Sequence, residues 1–179
     1  MKLVLVGFMG SGKSTVGRLI SKRVSLPFVD LDSVIVERAG RTIPEIFREE
    51  GEEFFRELER ETLISELRRE GGFVLSTGGG APAYRNNMEI INSFATSVFL
   101  YADFDTLYSR ISGDGNRPLA SLDRKKLREL YEKRLPFYRR AHFTVDTTGK
   151  MPEKVAEEVI SLLSAGRGKP SQEGQGGQT

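Results

Sequence analysis

Two rhythms of apolar and polar positions alternate along this chain. Short apolar runs at residues 3–6, 28–32, 73–76, 97–101 and 143–145 read as strands, and the second of them ends in two carboxylates, Asp30 and Asp32. Between the runs, apolar residues recur every three or four positions, the spacing of a helix that buries one side. Over 14–24 this puts Val16, Leu19, Ile20 and Val24 inward and Arg18, Lys22 and Arg23 outward. A short helix over 33–39 closes at Gly40, and Thr42 with Glu45 forms a capping box, Pro44 in its first turn, that opens the next. After a pause at Gly51 a longer helix covers 52–69, its many charges reading as a solvated face. Further helices are predicted over 86–93, from Asp103 or Asp105 to 111, from 123 to 134 with a stop before Pro136, and over 152–163.

Five strands separated by helices predict an α/β fold, a three-layer sandwich with a five-stranded parallel sheet and right-handed crossovers. Ligands in such folds bind beyond the carboxyl ends of the strands. Gly7, Asp30, Asp32, Gly78, Gly79 and Gly80 all fall at such ends, so one crevice can gather them. Residues 112–122 carry glycines and a proline with little periodicity, which reads as a mobile lid whose one cation is Arg117. Beyond residue 165 the chain is rich in Gly, Gln and Ser, a tail expected to be disordered because it has nothing to bury.

The opening stretch carries the chemistry. Gly7-x-x-x-x-Gly12-Lys13-Ser14 joins the first strand to the first helix, the context a phosphate-binding P-loop requires. Gly7, Gly10 and Gly12 let backbone N–H groups close around a polyphosphate, and the helix points its positive dipole end at the same anion. Lys13 reaches the β- and γ-phosphates as a point charge, and the Ser14 hydroxyl ligates Mg²⁺. Read as a strand, Asp30-Leu-Asp32 presents both carboxylates on one side, toward the phosphate loop. One of the pair could hold the metal or its water, and the other could accept a hydroxyl proton.

Bulk properties narrow the class. At 179 residues and 20.0 kDa the chain fits one domain over 1–165 followed by the tail. A formal charge of +2, from 27 basic and 25 acidic residues, argues against a general nucleic-acid binder. No apolar stretch reaches the ~20 residues that span a bilayer, Cys is absent, and the expectation is a cytoplasmic, monomeric protein bound to neither nucleic acid nor membrane. An Asn-Lys-x-Asp guanine-reading motif is missing, which turns the reading away from GTPase switches and toward small-molecule kinases.

Several stretches in this order and spacing resemble the shikimate kinase family: Gly7-Phe-Met-Gly-Ser-Gly-Lys-Ser-Thr15, Asp30-Leu-Asp32, Phe55-Arg56 after Gly51-Glu, Gly78-Gly-Gly80, Asn116-Arg-Pro-Leu119, and Lys133-Arg134 through Tyr138-Arg139. The likeness covers about residues 1–163. It implies a nucleoside-monophosphate-kinase-like core with substrate-binding helices near 33–61 and a lid near 112–123. The implied reaction moves the γ-phosphoryl of MgATP to the 3-hydroxyl of shikimate. By the same resemblance Asp32 holds the substrate hydroxyls and is the candidate base, with Lys13 and Arg117 as its catalytic companions. Asp30 joins Ser14 around Mg²⁺, the only cofactor implied, and ATP is the co-substrate. Gly10, Ser11, Gly12, Lys13, Ser14 and Thr15 take the phosphates, Arg117 closes over them, and Arg110 flanks the adenine. Arg56 and Arg134 clamp the shikimate carboxylate, and Gly78, Gly79 and Gly80 line the same substrate. His142 reads as structural. Residues 147–152 match only in general position. A gluconate or nucleoside monophosphate kinase, or a catalytically silent nucleotide-binding module, are the competing readings.

Overall fold

A computed structural model describes residues 1–113 and 123–166. The expected lid, apart from its two ends, and Arg117 with it, lies outside these described residues, as does the expected tail beyond Gly166. Five strands form one sheet: β1 (Lys2–Val6), β2 (Phe28–Asp30), β3 (Phe73–Ser76), β4 (Thr96–Tyr101) and β5 (Phe143–Asp146), all parallel in the spatial order β2-β3-β1-β4-β5. The connections are α1 (Lys13–Val24), α2 (Leu31–Ala39), α3 (Ile43–Glu50), α4 (Glu52–Leu67), α5 (Asn87–Phe94), α6 (Phe104–Ser112) and α7 (Arg124–Tyr138), and α8 (Pro152–Gly166) follows β5. A 3₁₀ turn at Ala81–Ala83 links the glycine run to α5.

Period-two alternation along the central strand builds the layers. Leu3 and Leu5 of β1 pack with Val16, Ile20, Val155 and Val159, the inward residues of α1 and α8. Val4 and Val6 face the other way, into a cluster with Leu63, Ile91, Leu127 and Tyr138 from α4, α5 and α7. Each of these fully buried aliphatic side chains contributes about 1.5–3 kcal/mol by leaving water. After β1 the chain leaves for β2 and β3 on one side and reaches β4 on the other, so the strand order reverses at β1. The crevice beyond its carboxyl end is where such sheets bind ligands.

Two expectations fail at element ends. The second strand stops at Asp30, not at residue 32, because the Asp30 carboxylate accepts from the backbone N–H groups of Asp32 (3.1 Å) and Ser33 (3.4 Å) and so N-caps α2. Asp30 and Asp32 are therefore a cap and a first-turn helical residue, and strand alternation is not what aims them. The other failure is at Pro136, which does not stop α7. Its ring is exposed and stands in the last turn, while Arg139 N–H still donates to the Leu135 carbonyl at 3.1 Å, so the break in the ladder is confined to one bond. The consequence is functional: Arg134 and Tyr138, one turn apart, share a face.

Candidate active site

The P-loop is a turn that only glycine accommodates at two points: Gly10 (φ 80°) and Gly12 (φ 88°) occupy the left-handed region. Gly12 N-caps α1 without any side-chain hydrogen bond, which leaves the first N–H groups of the helix for an anion. Lys13 Nζ folds over the loop and donates to the carbonyls of Gly7 (2.6 Å) and Phe8 (3.1 Å). A cavity of about 280 Å³ opens above, lined by Gly10, Gly12, Lys13, Ser14, Thr15, Asp30 and Asp32 on one side and Thr77, Gly78 and Gly79 on the other. Ser11 is placed differently from its neighbours. Its hydroxyl is buried beside Gly7, without a hydrogen-bond partner among the described residues, and is not among the residues that line the cavity.

A second cavity, about 560 Å³, adjoins the first across the glycine run and is lined by Arg56, Gly80, Tyr84, Lys133, Arg134 and Phe137 among others. Its floor is tightly fitted. A Cβ on Gly80 would lie 2.4 Å from the Arg56 guanidinium, one on Gly79 3.2 Å from Arg134 Nη1, and one on Gly78 2.9 Å from Asp32 Oδ1. Side chains at these positions would fill the space where the two arginines and Asp32 converge. Tyr138 Oη donates to the Gly79 carbonyl at 2.5 Å, fixing the run from α7.

The residue the sequence reading missed is Glu59. It is 1 % exposed, stands one turn after Arg56 on α4, and accepts from Arg56 Nη1 at 2.8 Å. A buried acceptor of this kind fixes the guanidinium plane and leaves its other N–H groups aimed into the cavity. Helical spacing could have found it, because Phe55, Glu59, Thr62, Leu63, Glu66 and Leu67 form one buried stripe.

Arg110, in the last turn of α6, donates to the Gly10 carbonyl and to Thr147 Oγ1 and O, each at 3.2 Å, so it ties the P-loop to the segment after β5. His142 is structural: its Nδ1 accepts from the Ser97 N–H at 3.0 Å and joins β4 to the start of β5.

Burial raises the Asp32 carboxyl above its ordinary range. Asp30 adds to the rise, and Lys13 and Arg56 oppose it. Desolvation likewise raises Glu59 against the pull of Arg56. Arg134 is lowered, mainly by burial. For the two carboxyls the folded chain holds the proton more tightly than the unfolded chain. The stability this brings is complete below their ordinary range and is lost as pH rises through the raised values. Asp103 and Asp146, lowered by the backbone N–H groups of Thr106 and Thr148, act the opposite way and lose their contribution only in stronger acid. Urea midpoints are therefore expected to be higher at about pH 5.5 than at about pH 7.5, with Asp32→Asn flattening the difference. A midpoint that stays level or rises from about pH 5.5 to about pH 7.5 would contradict the buried-carboxyl account.

The shikimate kinase family model matches residues 9–164. The chain belongs to the shikimate kinase family. A shikimate kinase of Persephonella marina is 40% identical over 161 residues, which cover 90% of this chain and 98% of that one. The solved shikimate kinase from Acinetobacter baumannii, in complex with shikimate, superposes with a TM-score of 0.86 at 36% identity, covering 94% of this chain and 95% of that one. A deoxyadenosine kinase from M. mycoides shares the fold alone, with a TM-score of 0.65 at 15% identity, covering 92% of this chain and 100% of that one. Like these kinases, this shikimate kinase family member is an α/β protein built on a five-stranded parallel sheet.

Proposed function

We propose that this chain transfers the γ-phosphoryl group of MgATP to the 3-hydroxyl of shikimate, giving shikimate 3-phosphate and ADP on the route to chorismate and the aromatic amino acids. The observation that carries the reading is the position of Asp32. It lines the P-loop cavity and contacts the space over Gly78, where the phosphate cavity meets the one holding Arg56 and Arg134. An acceptor whose carboxylate lies between the two guanidiniums has its ring on the glycine run and a hydroxyl toward Asp32. Bidentate pairing suits a planar carboxylate, and the rigid fork of each arginine sets the orientation of the ring.

In this reading Asp32 accepts the hydroxyl proton as the oxygen attacks phosphorus, and its raised pKa brings it closer to the working pH of a base. Lys13 and the N–H groups of residues 10–15 hold the transferring phosphoryl and the departing ADP oxygens. We assign Arg117 the closure over the phosphates and Arg110 the adenine side, the latter supported by its grip on Gly10 and Thr147.

The donor set fits a hard divalent ion held chiefly by phosphates. Among the described residues no three carboxylates or imidazoles converge as a cage, whereas the Ser14 hydroxyl and Asp30 line the same cavity. Asp30 accepts the α2 cap bonds through Oδ1, and its carboxylate together with Ser14 would hold the ion or its water. Mg²⁺ bound there would neutralise charge on the β- and γ-phosphate oxygens. The reading extends to a cytoplasmic enzyme, the compartment of its nucleotide, that acts as a monomer. Among the described residues no helix is long and apolar enough to cross a membrane, and sedimentation as a single 20.0 kDa species tests the monomer.

ADP release measured with shikimate, gluconate and AMP in parallel tests the substrate. Turnover is expected with shikimate alone, and preference for either other acceptor would contradict the assignment. Arg134→Lys is expected to raise the KM for shikimate about tenfold, because a point charge cannot replace a fork, with kcat little changed. An unchanged KM would remove Arg134 from the acceptor site.

A further inference from the structure

Tyr84 and Arg85 follow the glycine run, and no resemblance or motif accounts for them. Both face α4 on the side away from Glu59. The single phenolic proton of Tyr84 lies between two carboxylates, Glu57 Oε1 at 2.5 Å and Glu53 Oε1 at 2.8 Å. Two glutamates one helical turn apart repel each other, and converging on one hydroxyl makes this worse. Arg85 supplies the compensating charge: its Nη2 lies 2.7 Å from Glu57 Oε1 and 3.8 Å from Glu53 Oε1, and its guanidinium stacks 5.3 Å from the centre of the Tyr84 ring. To stand there Arg85 adopts φ 46°, a left-handed conformation that a branched or long side chain pays to hold. Strain of this kind persists only where the surrounding contacts outweigh it, and here they are a four-residue charge cluster.

The cluster touches the acceptor cavity at both of its ends. Tyr84 itself lines that cavity, and Glu53 and Glu57 flank Arg56 on the same helix. The backbone between Gly80 and Tyr84 is a stiff 3₁₀ turn, in which Ala83 N–H donates to Gly80 O and Tyr84 N–H to Ala81 O. Asn87 steadies its far side by donating to Ala81 O at 2.9 Å and accepting from Arg60 Nη1 at 2.7 Å. A displacement of Tyr84 relative to α4 is therefore transmitted to Gly80, whose Cα hydrogen side abuts the Arg56 guanidinium.

We propose that Tyr84 and Arg85, clasped to Glu53 and Glu57, are positioning residues that set the spacing between the glycine run and Arg56, and hence the affinity for the carboxylate-bearing acceptor. The inference rests on the kinase reading given above. The clasp fixes one wall of the acceptor cavity while leaving the P-loop alone, so its loss acts on one substrate and not the other.

Initial-rate kinetics of Tyr84→Phe and Arg85→Gly test this. Tyr84→Phe removes the hydroxyl and keeps the ring; Arg85→Gly removes the cation and at the same time relieves the left-handed backbone. Each is expected to raise the acceptor KM about fivefold with kcat and the KM for ATP within about twofold, the size expected for losing one solvent-exposed hydrogen bond or ion pair. Adding Glu57→Gln to Tyr84→Phe is expected to give less than the product of the separate effects. An unchanged acceptor KM in both single variants, or equal rises in both KM values, overturns the clasp. Wild-type turnover of shikimate is measured alongside, so a failure of the kinase reading shows in the parent protein. Amide exchange over residues 80–87 then decides the clasp independently of any substrate: faster exchange in Tyr84→Phe is expected, and unaltered protection overturns it.

Discussion

Asp32→Asn is expected to lower kcat about 10³-fold while leaving the affinity for ATP within a few-fold of the parent value. The amide keeps the volume and one hydrogen-bond acceptor of the side chain, and loses the ability to take the hydroxyl proton. In the proposed reading ATP would be held from the other side of the cavity, by Lys13 and the loop N–H groups that line it. The same substitution is expected to raise the melting temperature of the ligand-free protein. Burial and Asp30 both penalise the charged form of Asp32, and the neutral amide escapes both. A site that is destabilised where it performs its chemistry is a common trade. Single-turnover rates, nucleotide titration and thermal melts on one preparation check all three parts. Weak ATP binding with normal turnover would move Asp32 out of the acceptor role.

Gly80→Ala has the next largest effect, expected as a rise of roughly 30-fold in the KM for shikimate together with a lower melting temperature. Gly80 has φ −89° and ψ −18°, an ordinary conformation for alanine, so the backbone is not strained. The new methyl instead meets the Arg56 guanidinium, at 2.4 to 2.6 Å from its nearest atoms. The far end of a long side chain can swing clear, at the cost of leaving the buried Glu59 carboxyl without its partner. In doing so it breaks from Glu59, its partner at 2.8 Å, and leaves the position from which it would pair with a carboxylate. A normal KM with an unchanged melting temperature would show that Arg56 is not held as described.

The sheet was readable because its signal is local: five apolar runs, each bounded by glycine, proline or polar residues, became β1 to β5. The crevice was readable too, since the carboxyl ends of parallel strands follow from the order of elements. Asp32 stands in it, though not for the reason strand periodicity suggests. Strand alternation would aim both aspartates alike, whereas the N-cap formed by Asp30 starts the helix at Leu31 and aims Asp32 from its first turn. The run Asp-Leu-Asp-Ser carries both possibilities, and the side-chain hydrogen bonds to Asp32 and Ser33 N–H decide between them. Pro136 misled in a similar way. Proline forbids one hydrogen bond, and in a last exposed turn that loss is affordable, so Tyr138 falls on the same face as Arg134 and reaches Gly79.

Glu59 and the Tyr84 cluster were hidden for another reason. A glutamate within a run of charges looks solvated unless its phase against Phe55 and Leu63 is followed, and its partner Arg56 is what makes burial tolerable. The contacts of Tyr84 with Glu53 and Glu57 span 31 and 27 residues of sequence. No local pattern announces a pairing across that distance; it follows only from how the turn after β3 packs on α4.

A crystal structure with ADP and shikimate bound together tests the central claim most directly. The account places the shikimate carboxylate between Arg56 and Arg134, and its 3-hydroxyl within about 3 Å of the Asp32 carboxylate, facing the end of the nucleotide phosphates. Shikimate bound with that hydroxyl turned away from Asp32, or seated clear of the glycine run, would contradict it.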